Sequence, residues 1–97
     1  VKITDGALYM AKMGLVPAGT YNNKNYIEND VYSENIQEYF IDALYDPQTS
    51  GGLLITLPES KVENIMKDFT NKNMETKVAV IGKVIEKQEK SIILKNS

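Results

Sequence analysis

A polar turn followed at once by an apolar run limits most strongly how this chain can fold. The turn spans residues 46–52 (DPQTSGG), and the run after it spans residues 53–57 (LLITL). A short continuous apolar run beside turn residues predicts a strand that is buried on both faces. Since loops fixed to rigid elements often carry binding chemistry, we expect the polar groups of this turn to lie at the entrance of that strand.

The composition of the turn suits an oxyanion site and also suits an ordinary connection. Its adjacent glycines permit close backbone approach and positive φ, and exposed backbone N–H groups in such turns can bind anions. The amide and hydroxyl side chains add neutral donors, whereas the carboxylate would repel phosphate and better suits a metal or a local cap. The residues of the turn that we expect to face a substrate or phosphate are Asp46, Gln48, Thr49, Ser50, Gly51 and Gly52. A tight helix-to-strand turn with only local bonds is the alternative.

The bulk composition excludes several classes of function. The chain has 97 residues and a net charge of −2, with no cysteine and no histidine. Disulfides, cysteine nucleophiles and histidine general bases are therefore absent from it. The chain lacks the basic stripe that would predict nucleic-acid binding. None of its apolar runs approaches the roughly 20 residues that a membrane span needs. We expect a cytoplasmic protein, and since the chain begins at Val1 without a methionine, we expect a fragment.

Periodicity predicts helices over residues 6–13, 33–45 and 59–71. Thr4 or Asp5 is expected to cap the first helix, and Gly14 to end it in the left-handed conformation. The second carries an apolar stripe, and the third is expected to begin with a capping box of Ser60 and Glu63. The stripes are Ile36, Tyr39, Phe40, Ala43 and Leu44 in the second helix, and Val62, Ile65, Met66 and Phe69 in the third.

Strands are predicted over residues 53–57, 76–84 and 91–94, with the last two paired as a hairpin, and residues 1–3 are expected to end a strand. Residues 15–25 contain Pro, Gly and several Asn, which predicts a long irregular connection. This connection is either a solvated surface loop or a segment that faces a partner domain or ligand. Its secondary site candidates are Gly19, Thr20 and Asn22. The element order predicts a single α+β domain over residues 1–97, with helices packed on a small mixed β-sheet.

Two motifs carry a family resemblance. Residues 46–55 (DPQTSGGLLI) and 14–23 (GLVPAGTYNN) resemble segments of selenophosphate synthetases, which are also called selenide, water dikinases. The later segment 78–84 (VAVIGKV) fits the same order, so that the resemblance covers roughly residues 6–84. It implies the α+β C-terminal domain of aminoimidazole ribonucleotide synthetase-like enzymes, truncated at its N-terminal side.

The resemblance also implies a reaction and partners for the full-length protein. The family makes selenophosphate, AMP and phosphate from ATP, selenide and water, with magnesium. The expected partners are an N-terminal ATP-binding domain and a second copy in a homodimer, with neither nucleic acid nor a membrane involved. The family's catalytic Cys or selenocysteine, its essential Lys and its magnesium-binding aspartates match no position here. We therefore expect no catalytic or metal-binding residue, no bound cofactor and no activity in the fragment alone.

Three hypotheses remain open from the sequence. The chain is part of a selenide, water dikinase whose 46–52 loop faces the ATP-bearing domain; or it is a structural or interaction module; or it is the equivalent domain of another ATP-dependent enzyme of the same superfamily.

Overall fold

The computed structural model describes residues 1–72, 75 and 77–96, and the α+β prediction is confirmed over them. The α-helices are α1 (Asp5–Lys12), α2 (Ala18–Ile27), α3 (Glu38–Leu44) and α4 (Glu59–Asn71); the strands are β1 (Val31–Glu34) and β2 (Ile92–Lys95); and a 3₁₀ turn spans Glu28–Asp30. The described residues form two compact units. The larger comprises residues 2–49 and those from 83 onwards, and the smaller comprises Val1 and residues from 50 to 82.

Helix α1 begins and ends as its sequence predicts. Thr4 occupies the N-cap position in extended conformation, although its side chain makes no capping hydrogen bond. Gly14 has a φ of +77°, the left-handed conformation that a glycine adopts without steric cost. The predicted strand end over residues 1–3 is wrong, because these residues pair with no other described segment.

Helix α2 corrects the prediction of an irregular connection over residues 15–25. Pro17 takes the N-cap position with extended dihedral angles, and the helix continues through a Gly- and Asn-rich sequence of low helix propensity. Tertiary contacts account for its stability: Thr20 is 1% exposed, and two further side chains of this helix bond to α3 or its end. Short helices owe most of their stability to such packing, which local patterns do not reveal.

The strand pairing also differs from prediction. The predicted helix over 33–45 begins too early, because residues 31–34 form β1 and Asn35 turns the chain with a φ of +54°. The strand predicted near 91–94 is confirmed as β2, but it pairs in parallel with β1, with Val31 opposite Ile92, and not as a hairpin with the preceding segment. Parallel pairing joins segments that are distant in sequence, so neighbouring patterns cannot predict it.

The core of the larger unit lies where α1 packs against α3. Ala11 and Ile41 are its buried apolar side chains, at 7% and 8% exposed. The predicted stripe of α3 is half-buried instead of fully buried, and the deepest position, Ile41, lies outside it. The Lys12 ammonium lies 5.9 Å from the centre of the Tyr39 ring, within cation–π range. These contacts fix α3 and therefore the point from which the 46–49 segment leaves it.

In the smaller unit, α4 is confirmed and its capping box is not. Pro58 occupies the N-cap position, and no side chain in the described part of the chain makes a capping hydrogen bond to this helix. The predicted stripe is only half-buried at three positions, while Ile65 is exposed.

The strand predicted over 53–57 is wrong, and no described residue of 77–84 lies in a strand either. Leu53 is 94% exposed, so burial on both faces is also contradicted. A strand requires a neighbour for its backbone hydrogen bonds, and no described segment pairs with these runs. Thr76, where the second strand was predicted to begin, lies outside the described residues.

Candidate functional site at the α2–loop junction

Helix α3 delivers the first half of the polar turn to the surface of the larger unit. Its last turn continues through backbone hydrogen bonds from Tyr45 N to Asp42 O at 3.1 Å and from Asp46 N to Ala43 O at 3.4 Å. Residues 46–49 then leave the helix end in exposed positions. Because α3 is anchored against α1, this segment starts from a fixed point.

The two family-like motifs meet at this point. Gly19 of α2 lies against the Pro47 ring so closely that a Cβ atom on Gly19 would be 2.8 Å from Pro47 Cγ and 3.0 Å from Pro47 Cβ. Ordinary carbon–carbon contacts are about 3.5–4.0 Å, so a methyl group does not fit there without movement. We call the surface formed by Gly19, Asn23, Tyr45 and residues 46–49 the α2–loop junction.

A side-chain hydrogen bond also joins α2 to the end of α3 at the junction. Asn23 Nδ2 donates to the Tyr45 backbone oxygen at 2.9 Å. Tyr45 is the C-cap residue of α3, where helix carbonyl groups lack intrahelical partners. The Asn23 amide therefore both satisfies the helix end and ties it to α2.

An ion-pair network holds α2 to α3 beside the junction. Lys24 Nζ donates to Glu38 Oε1 and, at 3.1 Å, to Asp42 Oδ1. The hydrogen bond to Glu38 raises the pKa of Lys24 well above its ordinary value; partial burial opposes this, and Asp42 adds to it. Partial burial raises the pKa of the Tyr45 phenol, and the Lys24 charge partly offsets that effect. Both groups keep their ordinary charge at neutral pH.

A shallow cavity of about 300 Å³ opens at the junction. It is lined by Asn23, Pro47, Gln48 and Thr49, so it presents amide and hydroxyl groups without a Lys or Arg in its lining. Gln48 Nε2 donates to Asp46 Oδ2 at 3.4 Å, a long bond that leaves the Gln48 amide readily available. The cavity can donate and accept neutral hydrogen bonds, and none of the described residues that line it is a cation that would neutralise a phosphate.

The predicted site residues fall into three groups. Gln48 and Thr49 line the cavity, and Asp46 lies beside it. The remaining turn candidates, Ser50, Gly51 and Gly52, belong to the smaller unit. Of the secondary candidates, Gly19 forms the junction, Asn22 is exposed, and Thr20 is buried with no hydrogen-bond partner for Oγ1 among the described residues.

Sequence reasoning did not identify Tyr45 as part of this surface or Lys24 beside it, and it did not single out Asn23. The available signal was spacing: Gly19 and Asn23 are four residues apart, as are Thr20 and Lys24, and residues at this spacing share a helix face. The irregular connection predicted for 15–25 concealed that relation.

No cluster of acidic side chains marks a metal site among the described residues. Among them, no group of three or more acidic side chains is arranged to hold an ion. The Asp42 carboxylate already accepts from Lys24, and Asp46 accepts from Gln48. We therefore assign no step to magnesium at this surface. In the same part of the chain, none of the helices combines the length and apolar character needed to cross a membrane.

Comparison with known proteins gives the family. The chain is 48% identical over 94 residues to a selenide, water dikinase of Clostridioides difficile, and 42% identical over 94 residues to selenide, water dikinase 2 of Peptoclostridium acidaminophilum. These alignments cover 95% and 97% of this chain but only 26% and 27% of the relatives. A relative from Campylobacter jejuni is 39% identical over 90 residues. No protein-family model and no solved structure matches the chain.

Sequence identity to these relatives therefore places the chain in a class of dikinases. The chain belongs to the selenide, water dikinase family, and it spans about a quarter of the length of the curated relatives it matches.

Proposed function

We propose that this chain is the C-terminal part of a selenide, water dikinase, an enzyme that converts ATP, selenide and water into selenophosphate, AMP and phosphate. The proposal rests on the identity with selenide, water dikinases over nearly the whole chain. That breadth favours this family over another ATP-dependent enzyme of the same superfamily. The aminoimidazole ribonucleotide synthetase-like architecture belongs to the same proposal.

Within the full-length enzyme, we assign the α2–loop junction to the face that meets the ATP-binding domain. The single observation that carries this assignment is the docking of both family-like motifs on one surface, through the Gly19–Pro47 contact and the Asn23–Tyr45 hydrogen bond. Two segments more than 20 residues apart in sequence thereby build one polar cavity.

The junction would contribute neutral donors next to the reacting phosphates. Gln48 and Thr49 are the side chains best placed for this, since both line the cavity and neither is tied to a buried partner. Donors fixed in a site before the reaction stabilise developing charge without reorganising. Because the lining has no cation, charge neutralisation must come from elsewhere in the full-length enzyme. We further propose that the full-length protein uses magnesium, carries the nucleophile, forms a homodimer with a second copy and is cytoplasmic.

The assignment is tested by Gln48→Ala and Thr49→Ala, singly and together, in the full-length protein. Phosphorus NMR of ATP with selenide and magnesium measures selenophosphate and AMP formation. Removing one preorganised donor from an active site costs on the order of 100-fold in turnover. We expect a loss of at least about tenfold for the double variant, because the junction is open to solvent. Turnover within twofold of the parent enzyme would contradict the assigned role of the junction.

A non-catalytic interface is the second candidate function, and one observation favours it. The Gln48 amide contacts the Asp46 carboxylate within the loop, and none of the described lining residues is a cation. Both features are also expected of a turn whose role is purely structural. In that case the alanine variants keep full turnover but weaken domain association. Limited proteolysis of the full-length protein, with and without ATP, separates the two candidates.

A further inference from the structure

We propose that Gly19 and Asn23 are positioning residues that set where residues 46–49 lie at the α2–loop junction. Neither residue needs to contact a substrate: Gly19 acts by leaving space for the Pro47 ring, and Asn23 acts by holding the Tyr45 carbonyl. The inference rests on the proposed function for its catalytic consequence, while its structural part can be tested separately.

The geometry at Gly19 makes the space requirement strict. A Cβ atom there would lie 2.8, 3.0 and 3.8 Å from three carbons of the Pro47 ring. A proline ring cannot rotate away as the tip of a long side chain can, because it is closed onto the backbone. To restore a contact of about 3.5–4.0 Å, the loop or the helix must therefore move by about 1 Å.

Asn23 acts on the other end of the same segment. Its amide is bonded to the carbonyl of Tyr45, two residues before Pro47. Gly19 and Asn23 are four residues apart, so they lie on one face of α2. One helix face therefore fixes the segment at two points, on either side of Asp46. A displacement of about 1 Å from productive geometry can cost on the order of 100-fold in rate.

The chain offers a closely matched control for Gly19→Ala. Gly6 is the second residue of α1, as Gly19 is the second residue of α2, and a Cβ atom on Gly6 would meet nothing within 4 Å. Gly6→Ala and Gly19→Ala make the same chemical change at the same helical position. Any difference between them reports the contact with Pro47.

The first measurement is hydrogen exchange by mass spectrometry on the full-length protein. We expect Gly19→Ala to speed exchange at residues 45–49 by at least fivefold relative to Gly6→Ala. Equal exchange in Gly19→Ala and Gly6→Ala would overturn the positioning role. If Gly19→Ala does not fold, Asn23→Ala removes one hydrogen bond of an exposed residue, and unchanged exchange at residues 45–49 in that variant would overturn the role.

The second measurement is selenide-dependent turnover of the same variants. We expect kcat/KM for ATP to fall between tenfold and 100-fold in Gly19→Ala and to stay within twofold in Gly6→Ala. A merely structural role would lower the folded fraction but leave kcat/KM per folded enzyme within twofold of the Gly6→Ala value. If the loop moves but both Gly19→Ala and the Gln48/Thr49 alanine variants keep full turnover, the proposed function fails while the positioning role stands.

Discussion

Replacing Lys24 with methionine tests the ion-pair network that joins α2 to α3. Lys24 Nζ reaches two carboxylates, and its side chain is only 22% exposed. Methionine keeps most of the apolar length of the side chain but removes the charge, so that the change reports the ion pairs more than the packing.

The exposures of the two partners set the magnitude. Glu38 is 70% exposed, and a pair with such a group contributes about 0.2–1 kcal/mol. Asp42 is 17% exposed, so the contribution of its ion pair to stability lies between that of an exposed pair and the roughly 3–5 kcal/mol lost when one partner of a fully buried pair is removed. We expect Lys24→Met to lower the local free energy of unfolding by about 2 kcal/mol, which corresponds to roughly 30-fold faster hydrogen exchange in α2 and α3.

Lys67→Met is the matched control. Lys67 pairs with Glu63 at 2.9 Å, but both side chains are largely exposed, so we expect a loss below about 0.5 kcal/mol in α4. Native-state hydrogen exchange, read at each variant's own helices, measures both effects. If Lys24→Met speeds exchange no more than Lys67→Met does, the network does not hold the two helices together.

Three further predictions follow from single features of the larger unit. Hydrogen bonding to Glu38 raises the pKa of Lys24, so the ion pairs of Lys24 stabilise the fold fully below the ordinary lysine pKa of about 10.4 and lose this effect as pH rises above it. Denaturation near pH 9 and near pH 11 should therefore show a smaller difference in unfolding free energy between wild type and Lys24→Met at the higher pH. Ile41→Ala should cost about 2–4 kcal/mol in urea denaturation, since Ile41 is 8% exposed and its removal leaves a cavity; a loss below about 1 kcal/mol would contradict its place in the core. Gly14→Ala should cost about 1 kcal/mol by the same assay, because Gly14 has a φ of +77°, and an unchanged midpoint would contradict that conformation.

The features that the sequence predicted well are those set by neighbouring residues. The helix near 59–71 follows from its apolar spacing, and the end of α1 follows from Gly14. The turn after α3 follows from Pro47, because a residue before proline avoids helical angles. Gln48 and Thr49, which the turn predicted to face a substrate, line the cavity, and their contact with a substrate stays a prediction.

The features that were missed depend on contacts between distant segments. The α2 segment has weak helix propensity and is held by Thr20, Asn23 and Lys24 against the rest of the larger unit. The parallel partner of β2 lies about 60 residues earlier in the chain, a separation that no local pattern encodes. The run at 53–57 shows the opposite error: strong strand propensity produces no strand unless a neighbouring segment satisfies its backbone.

The most direct test of the account is selenide-dependent conversion of ATP by the full-length protein, followed by phosphorus NMR, for the parent and the Gln48→Ala/Thr49→Ala variant. We expect selenophosphate and AMP from the parent, and at least a tenfold slower reaction from a variant that remains folded. A parent that forms no selenophosphate would contradict the proposed activity. An active parent beside an equally active variant would remove the α2–loop junction from the catalytic site.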